Sequence, residues 1–377
     1  DAAVAARGRS FTEALALFER MSSPPQNTPA PRRVGVLHAG GLAPGMNTAA
    51  RAAERLGLTL GMQIVGVDGG FPGLISKRVR ELSWGDVDGW AADGGADLGT
   101  RRHVPTRDEL PALAAAIENL ALDALLVIGG YSAYEAVSLL HAARAEHAGL
   151  QLPIVCVPAS IDNNLPRSEL SIGSDTALNS AVVALDAVKM SASASRRCFV
   201  TETMGRRCGY LAFMAGLASG AERVYLHEEG ISLDVVQEDV ERMKAAFRRG
   251  KRLYLTIRSE YANEHYTTDV LARLFEEESE GLFDVRQVVF GHVQQGGTPT
   301  PFDRIIATRL VEHALDEVAA QLDAGECEAR TVGFVDGAVS VAPVADMAEH
   351  LDLPHRRPAE QWWLTHRPVL DVLSQEP

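Results

Sequence analysis

Short apolar runs alternate with helical stretches along most of this chain, and this alternation restricts the fold more than any other feature. Runs such as Val34–His38, Leu120–Ile128 and Leu152–Val157 have the length and composition of buried strands, and each is followed by a polar or glycine-rich loop and a helical stretch. Alternating strands and helices joined by short loops are typical of an α/β protein with a parallel sheet. The last stretch, Pro358–Leu373, is predicted to be a closing helix.

The loop Pro158–Asn164 (PASIDNN) directly follows one of these predicted strands. In open α/β sheets ligands bind just beyond the carboxyl ends of the strands, so the loop is expected at a binding edge. Its side chains Ser160, Asp162, Asn163 and Asn164 are short and polar, which suits the hydroxyl groups of a sugar. An ordinary turn with an Asx cap would account for the same residues, and the loop alone does not decide between the two.

Polar loops follow three further predicted strands, at Met204–Gly205, Glu260 and His292–Gln295. Four such loops at four strand ends predict one composite pocket rather than four separate turns. The glycine-rich turn Gly40–Asn47 opens the first predicted helix, where backbone amides can approach a phosphate, although glycine turns after strands are common. The pair Arg101–Arg102 forms either a solvated turn or a fork for an anion.

The composition argues against several function classes. The chain has 377 residues, enough for two domains on a prior of about 150 residues each. Its net charge of −14 argues against non-specific binding to nucleic acid or to anionic membranes. The four cysteines have no metal-ligand spacing, and the sequence shows no signal peptide or membrane-spanning run, so we expect a cytoplasmic protein.

Residues 1–32 are predicted to form a connector. Ser10–Glu13 has the pattern of a capping box that opens a helix, and Ser22–Arg32 is proline-rich, which is typical of an extended tether. Because the first residue is Asp rather than Met, we expect the chain to be processed or cut from a longer one.

Six motifs along the chain resemble the ATP-dependent 6-phosphofructokinases: GGLAPGMN, PASIDNN, GSDTALNSAV, ETMGRRCGYLA, GHVQQGGTPTPFDR and HRRPAEQWWL. They look most like the C-terminal half of the tandem, eukaryotic-type enzyme, and RGRSF at Arg7–Phe11 resembles the connector between its halves. The resemblance implies an α/β phosphofructokinase fold, in which the sugar-phosphate pocket lies between two Rossmann-like parallel-sheet subdomains. The implied ranges are 33–175 with 294–345 for the larger subdomain, 176–293 with 346–377 for the smaller one, and 1–32 for the inter-half connector.

The family transfers a phosphoryl group from MgATP to the 1-hydroxyl of fructose 6-phosphate. The resemblance implies that the sugar-phosphate side of this site is retained, with Asp162 at the position of the catalytic base. The residues that it assigns to sugar-phosphate or effector binding are Arg102, Ser160, Ile161, Asp162, Asn163, Asn164, Arg197, Met204, Gly205, Arg206, Glu260, Arg286, His292, Val293, Gln294, Gln295 and Arg356.

The nucleotide side departs from the family pattern. Leu42, beside Gly41, and Tyr131, beside Gly130, stand where the family carries acids, and Asn164 replaces a further Asp. Magnesium prefers carboxylate ligands. We therefore expect a degenerate nucleotide site with no metal and no cofactor in this chain, while the catalytic half of the parent enzyme binds Mg and ATP.

Asp162 and Arg206 are departures in the opposite direction, since the eukaryotic C-terminal half usually has Ser and Gly there. Three hypotheses stay open. The chain is an allosteric half that binds fructose 2,6-bisphosphate, or else fructose 6-phosphate or 1,6-bisphosphate; it is a kinase half that uses Asp162 as base or takes a different phosphoryl donor; or it is a structural module that supports the catalytic half. The retained arginines favour the first, because buried like charges repel one another without an anion.

The resemblance also implies partners. An N-terminal catalytic half and further copies of the chain are expected across two-fold interfaces, and nucleic acid and membrane are not expected. In the family, the arginines that match Arg197 and Arg286 reach into the pocket of the neighbouring half, so the site is expected to be shared between halves.

Overall fold

The computed structural model describes residues 31–192 and 195–374. The predicted helix of the connector and most of its proline-rich part lie outside these residues. From Arg33 onward the described residues form one compact unit. In this described part, no helix is both long enough and apolar enough to cross a membrane.

A seven-stranded sheet carries the first five strands of the described chain and two later ones. In spatial order these are β11 (Ala338–Pro343), β10 (Ala329–Val335), β5 (Ile154–Pro158), β4 (Ala124–Gly129), β1 (Arg32–Ala39), β2 (Met62–Val67) and β3 (Val79–Glu81). The neighbours β10, β5, β4 and β1 run parallel, whereas β11 and β3 pair antiparallel at the two edges. The sheet is therefore parallel where the predicted binding loops leave it.

Helices cover both faces of this sheet. Consecutive strand residues point to opposite sides, so each strand contributes side chains to two separate cores. Val36 belongs to a core with α1 (Met46–Thr59) and α9 (Pro301–Ala324), whereas the adjacent Leu37 belongs to a core on the other face. That other core is covered by three helices, α2 (Gly70–Ile75), α3 (Leu110–Asn119) and α4 (Tyr131–Ala143).

Four parallel strands form a second sheet, in the order β7 (Arg223–Tyr225), β8 (Leu253–Ser259), β6 (Arg197–Thr203) and β9 (Asp284–Val289). One face packs against α7 (Leu233–Arg248) and α8 (Thr268–Glu278). The other face packs against α6 (Tyr210–Ser219), which contacts α5 (Ser174–Ser191), and its core is continuous with that of the first sheet. The predicted α/β architecture with two parallel-sheet layers is confirmed, while the residue boundaries of the two subdomains stay a prediction.

The end of the chain differs from the single helix predicted over Pro358–Leu373. A two-residue strand β13 (Arg357–Pro358) pairs with β12 (Leu351–Asp352), a 3-10 helix follows at Trp362–His366, and α10 begins at Arg367 and ends at Ser374. Proline is tolerated in the first turn of a helix but not in its interior, so Pro368 marks a helix start. Trp363 is 2% exposed and lies 5.3 Å from the ring of Phe213, which fixes this segment to the core.

The loop after β5 is held in place where the N-termini of α5 and α9 meet. Asp303, in the first turn of α9, accepts hydrogen bonds from the backbone nitrogens of Gly173 (2.9 Å) and Thr176 (2.8 Å) and from the Thr176 hydroxyl (2.5 Å). Thr300 caps α9 and donates its hydroxyl to Asp175 at 2.5 Å. The buried carboxylate of Asp303 thus forms hydrogen bonds to the start of α5, the helix that follows the loop.

Replacing Asp303 by alanine is expected to lower the free energy of unfolding by roughly 2–4 kcal/mol, because it leaves buried donors of α5 without an acceptor. Asp316→Ala, at an exposed position of the same helix, is the matched control and is expected to stay within about 0.5 kcal/mol of wild type. Urea unfolding followed by circular dichroism measures both. Equal effects of the two substitutions would show that the bonds of Asp303 do not stabilise the fold.

Candidate functional site

A cavity of about 460 Å³ opens at the carboxyl ends of β1, β4, β5 and β6. Its size lies in the range of small-molecule sites, roughly 300–1,000 Å³. Residues from both sheets surround it, so the composite pocket predicted from the loops is present. Its lining consists of Gly40, Gly41, Leu42, Arg102, Gly130, Tyr131, Ser132, Ala159, Ser160, Ile161, Asp162, Asn164, Met204, Arg206, Arg207, Tyr261, Gln295, His355 and Arg356.

Hydrogen bonds within and around the loop after β5 fix its shape. The Ser160 backbone nitrogen donates to the Ile172 carbonyl at 3.0 Å, and the Ser160 hydroxyl donates to Asn164 Oδ1 at 2.9 Å. Asn163 turns away from the cavity, where its Oδ1 accepts from the Ser171 nitrogen (2.8 Å) and its Nδ2 donates to the Glu169 carbonyl (2.7 Å). Its backbone φ of +50° suits asparagine, which tolerates the left-handed region. Asn163 therefore shapes the loop, and Ser160, Asp162 and Asn164 line the cavity.

Asp162 is 8% exposed and faces the guanidinium of Arg206, with 3.6 Å between Asp162 Oδ2 and Arg206 Nε. Burial raises the pKa of this carboxyl to about 6; Arg206 and Arg102 act against the shift, and Glu260 adds to it. The group therefore changes charge within the physiological range, which is the property of a general base or of a pH-dependent acceptor.

Two polar side chains that the sequence analysis assigned to the pocket accept hydrogen bonds from the backbone of the loop after β6. Gln294 is fully buried, and its Oε1 accepts from the Met204 backbone nitrogen at 2.7 Å. Glu260 Oε1 accepts from the Arg206 backbone nitrogen, also at 2.7 Å. At Gly205 φ is +136°, and a Cβ there would lie 2.6 Å from the Cys208 carbonyl oxygen, so this turn requires glycine. Gln294, Glu260 and Gly205 thus position Met204 and Arg206, which line the cavity.

The glycine-rich side of the cavity carries positive charge. The Gly40 nitrogen donates to the Arg101 carbonyl at 2.8 Å, and Arg102 Nη2 lies 3.1 Å from the position that a Cβ on Gly41 would occupy. A side chain at position 41 would displace the guanidinium. In the same lining, the centroid of the Tyr131 ring lies 5.3 Å from the guanidinium carbon of Arg356.

The residues that the family resemblance assigns to a nucleotide site do not fit a magnesium ion. Leu42 and Tyr131 line the cavity without a carboxylate, and Asp162 is the one carboxylate among the lining residues that the structure describes. Mg²⁺ in phosphoryl-transfer sites is bound by one or two carboxylates together with substrate phosphates, and the single one here already faces Arg206.

Besides Asn163, Gly205, Glu260 and Gln294, four further predicted residues lie outside the cavity lining within this chain. Arg197 is the first residue of β6, and a seven-residue strand separates its two ends by roughly 20 Å. Arg286, on the edge strand β9, is half-exposed, 3.9 Å from Asp284. His292 and Val293 are exposed on the 3-10 helix Gly291–Gln294 beside the cavity. That the two arginines serve a neighbouring half stays a prediction.

The cavity also contains side chains that sequence reasoning missed. Arg207 donates to the Pro354 carbonyl at 3.0 Å, and His355 Nδ1 lies 2.7 Å from Asp352. Tyr261, half-exposed, lies at the cavity edge after β8. The pair Arg206–Arg207 was the available signal for the first of them; His355 and Tyr261 lie in loops whose folding brings them to the cavity without any local pattern.

The chain matches the family model described as phosphofructokinase over residues 33–318. It belongs to the phosphofructokinase family. An ATP-dependent 6-phosphofructokinase of Dictyostelium discoideum is 41% identical over 95% of this chain and 44% of that protein. The platelet-type human enzyme is 39% identical over 99% of this chain and 49% of its own length, so the chain spans about half the length of the curated relatives it matches.

Solved structures confirm the phosphofructokinase fold. The phosphofructokinase of Saccharomyces cerevisiae superposes with a TM-score of 0.89 at 32% identity, covering 96% of this chain and 51% of the yeast chain. A pyrophosphate-dependent phosphofructokinase from Marinobacter aquaeolei shares the fold alone, with a TM-score of 0.72 at 16% identity over 92% of both chains.

Asp162→Asn is expected to change how stability depends on pH. Because the folded pKa of about 6 lies above the ordinary value of 3.8, wild type loses stability as pH rises through that range, by about 2–3 kcal/mol in total. The asparagine variant lacks this loss, so it gains on wild type between about pH 4 and pH 7. Asp316→Asn removes an exposed charge and is the control. A wild-type-to-variant difference that stays constant across these pH values would contradict the assignment.

Proposed function

We propose that this chain is the sugar-bisphosphate-binding half of a 6-phosphofructokinase, and that its ligand is fructose 2,6-bisphosphate. One observation carries the proposal: the cavity combines four arginines and a fixed polar loop with a single carboxylate. Such a lining favours a sugar that bears phosphates and disfavours a magnesium–nucleotide complex. That the relatives are about twice as long supports a second half, which would bind MgATP and perform the transfer to fructose 6-phosphate.

Each lining residue has a chemical role in this proposal. Ser160, Asp162 and Asn164 bond the hydroxyls of the furanose ring, and Met204 packs against its apolar face. The guanidiniums bind the phosphates as charge-assisted donors: Arg102, over Gly41, takes one phosphate and Arg356, beside Tyr131, takes the other.

A site shared between two neighbouring halves would couple ligand binding to their assembly. Arg197 and Arg286 lie away from the cavity of their own chain, on strands β6 and β9. We propose that they reach the pocket of a neighbouring half across a two-fold interface in the cytoplasm. Ligand binding would then draw two halves together, and its free energy would bias the assembly toward one quaternary state.

A catalytic half is the second candidate, and Asp162 is the observation that favours it. A carboxyl whose pKa is about 6 and which faces a sugar pocket has the properties of a general base. Phosphoryl transfer, however, depends on metal and cationic charge around the transferred group. Since the single carboxylate of the lining already faces Arg206, binding without transfer is the better supported function.

Arg102→Ala is expected to weaken fructose 2,6-bisphosphate binding about ten- to a hundredfold, since one charge-assisted contact contributes roughly 1.5–3 kcal/mol. Isothermal titration of the full-length protein measures the dissociation constant. Arg273→Ala removes the same charge from the exposed surface of α8 and is expected to leave binding within about twofold of wild type, as for a screened surface charge. Equal affinity of Arg102→Ala and wild type would refute the bisphosphate site.

The nucleotide side yields a separate expectation. A non-hydrolysable MgATP analogue is expected to show no saturable binding to this chain at millimolar concentrations, because the one carboxylate of the cavity lining, Asp162, already faces Arg206. The variant Gly130→Ala tests whether any such binding occurs in this cavity, since the added methyl would lie 3.3 Å from the Ala159 carbonyl oxygen at the cavity wall. Micromolar binding that Gly130→Ala abolishes would place a working nucleotide site here and contradict the proposal.

A further inference from the structure

Arg356 is attached to the candidate site at its backbone. Its carbonyl accepts a hydrogen bond from Asn164 Nδ2 at 3.1 Å, and its nitrogen donates to the Leu353 carbonyl at 3.3 Å. The residue has a φ of +55°, in the left-handed region that costs non-glycine residues free energy. The loop that carries the sugar-facing side chains therefore fixes the point from which the guanidinium projects.

Two residues of α4 contact the guanidinium of Arg356. Glu135 Oε1 lies 3.5 Å from Arg356 Nη2, and the centroid of the Tyr131 ring lies 5.3 Å from Arg356 Cζ. The two residues are four positions apart on one helix, so they lie on the same face. Tyr131 and Glu135 therefore contact the same guanidinium from one face of α4. Tyr131 stands where the family pattern has an acid.

The two contacts differ in how they respond to an arriving phosphate. The arginine side chain is 63% exposed and that of Glu135 is 34% exposed, so their ion pair is weak and screened by water. A phosphate forms shorter, charge-assisted bonds to guanidinium and can displace a single carboxylate oxygen at 3.5 Å. The aromatic ring carries no net charge, so it attracts the cation without repelling the phosphate.

We propose that Glu135 is a built-in competitor of the ligand phosphate for Arg356, and that Tyr131 is a positioning residue that keeps the guanidinium at the cavity in both states. This inference rests on the proposed function, because it assigns how the same site sets its affinity for a bisphosphate. In the empty site Glu135 neutralises Arg356. When the phosphate binds, Arg356 exchanges the carboxylate for the phosphate and stays against the ring.

The proposal predicts effects of opposite sign for neighbouring substitutions. Glu135→Gln keeps the size of the side chain and removes the competing charge, so it is expected to tighten fructose 2,6-bisphosphate binding about two- to fivefold. Tyr131→Leu removes the ring and is expected to weaken binding about two- to fivefold, whereas Tyr131→Phe retains the ring and is expected to match wild type. A merely structural role would make every damaging substitution weaken binding.

The experiment is isothermal titration of the full-length protein with fructose 2,6-bisphosphate, carried out on wild type and on these variants at constant ionic strength. Glu146→Gln, at an exposed position three residues beyond the end of α4, makes the same change in net charge and is the control for long-range electrostatics. The double variant Glu135→Gln with Arg356→Ala tests whether the effect of Glu135 acts through Arg356, since the gain is then expected to disappear.

The outcomes separate this inference from the function on which it rests. Tighter binding by Glu135→Gln that is absent in Glu146→Gln and in the double variant would support the competitor. Unchanged or weaker binding by Glu135→Gln, in a wild type that binds and that Arg356→Ala weakens, would overturn the competitor and leave the bisphosphate site in place. Weak binding by Tyr131→Phe as well as Tyr131→Leu would overturn the role of the ring. A wild type without saturable binding would refute the proposed function and this inference with it.

Discussion

The buried carboxylate of Asp303 is the interaction on which the geometry of the candidate site depends. The amino ends of α5 and α9 meet here, and each carries the partial positive charge of unpaired backbone N–H groups. Asp303 lies between them and accepts three hydrogen bonds from the first turn of α5 and the residue before it. Burial raises the pKa of Asp303 to about 6, and the bonds from Thr176 and Gly173 act against that shift. Since α5 also contacts α6 of the second sheet, this bond network connects the loop after β5 with both layers.

Four arginine side chains give the cavity its positive charge. Arg102, Arg206, Arg207 and Arg356 all line one cavity, and two of them lie near a carboxylate, Arg206 at 3.6 Å from Asp162 and Arg356 at 3.5 Å from Glu135. All four side chains are exposed, so water screens their mutual repulsion, and an anion bound among them would gain charge-assisted hydrogen bonds. The cluster therefore supports the proposed phosphate-binding site more than a purely structural module.

The sequence predicted much of the fold and part of the site, and the difference has a physical basis. Strand ends are encoded locally, so the loop of Ser160 and Asp162 and the turn of Met204 were placed correctly at the cavity. The direction of a side chain within a loop is decided by tertiary hydrogen bonds: Asn163 bonds the backbone near Ser171, and Gln294 bonds the Met204 nitrogen, although motif matching assigned both to the pocket. The closing helix failed for a similar reason, because burial of Trp363 against Phe213 outweighs the apolar periodicity of that stretch.

Tyr131, for which the family resemblance implies an acid, bears on the proposed chemistry of the site in two ways. Without a carboxylate at the end of β4, the proposed site lacks one ligand that a metal would need. Gaining a ring places an uncharged, cation-attracting surface at the same point, 5.3 Å from Arg356. A small apolar residue there would also lack a carboxylate, but it would leave the guanidinium held only by a screened ion pair to Glu135. In the proposed site, the aromatic ring of Tyr131 therefore matters as much as the missing carboxylate, because it helps to keep the positive charge of Arg356 beside the loop after β5.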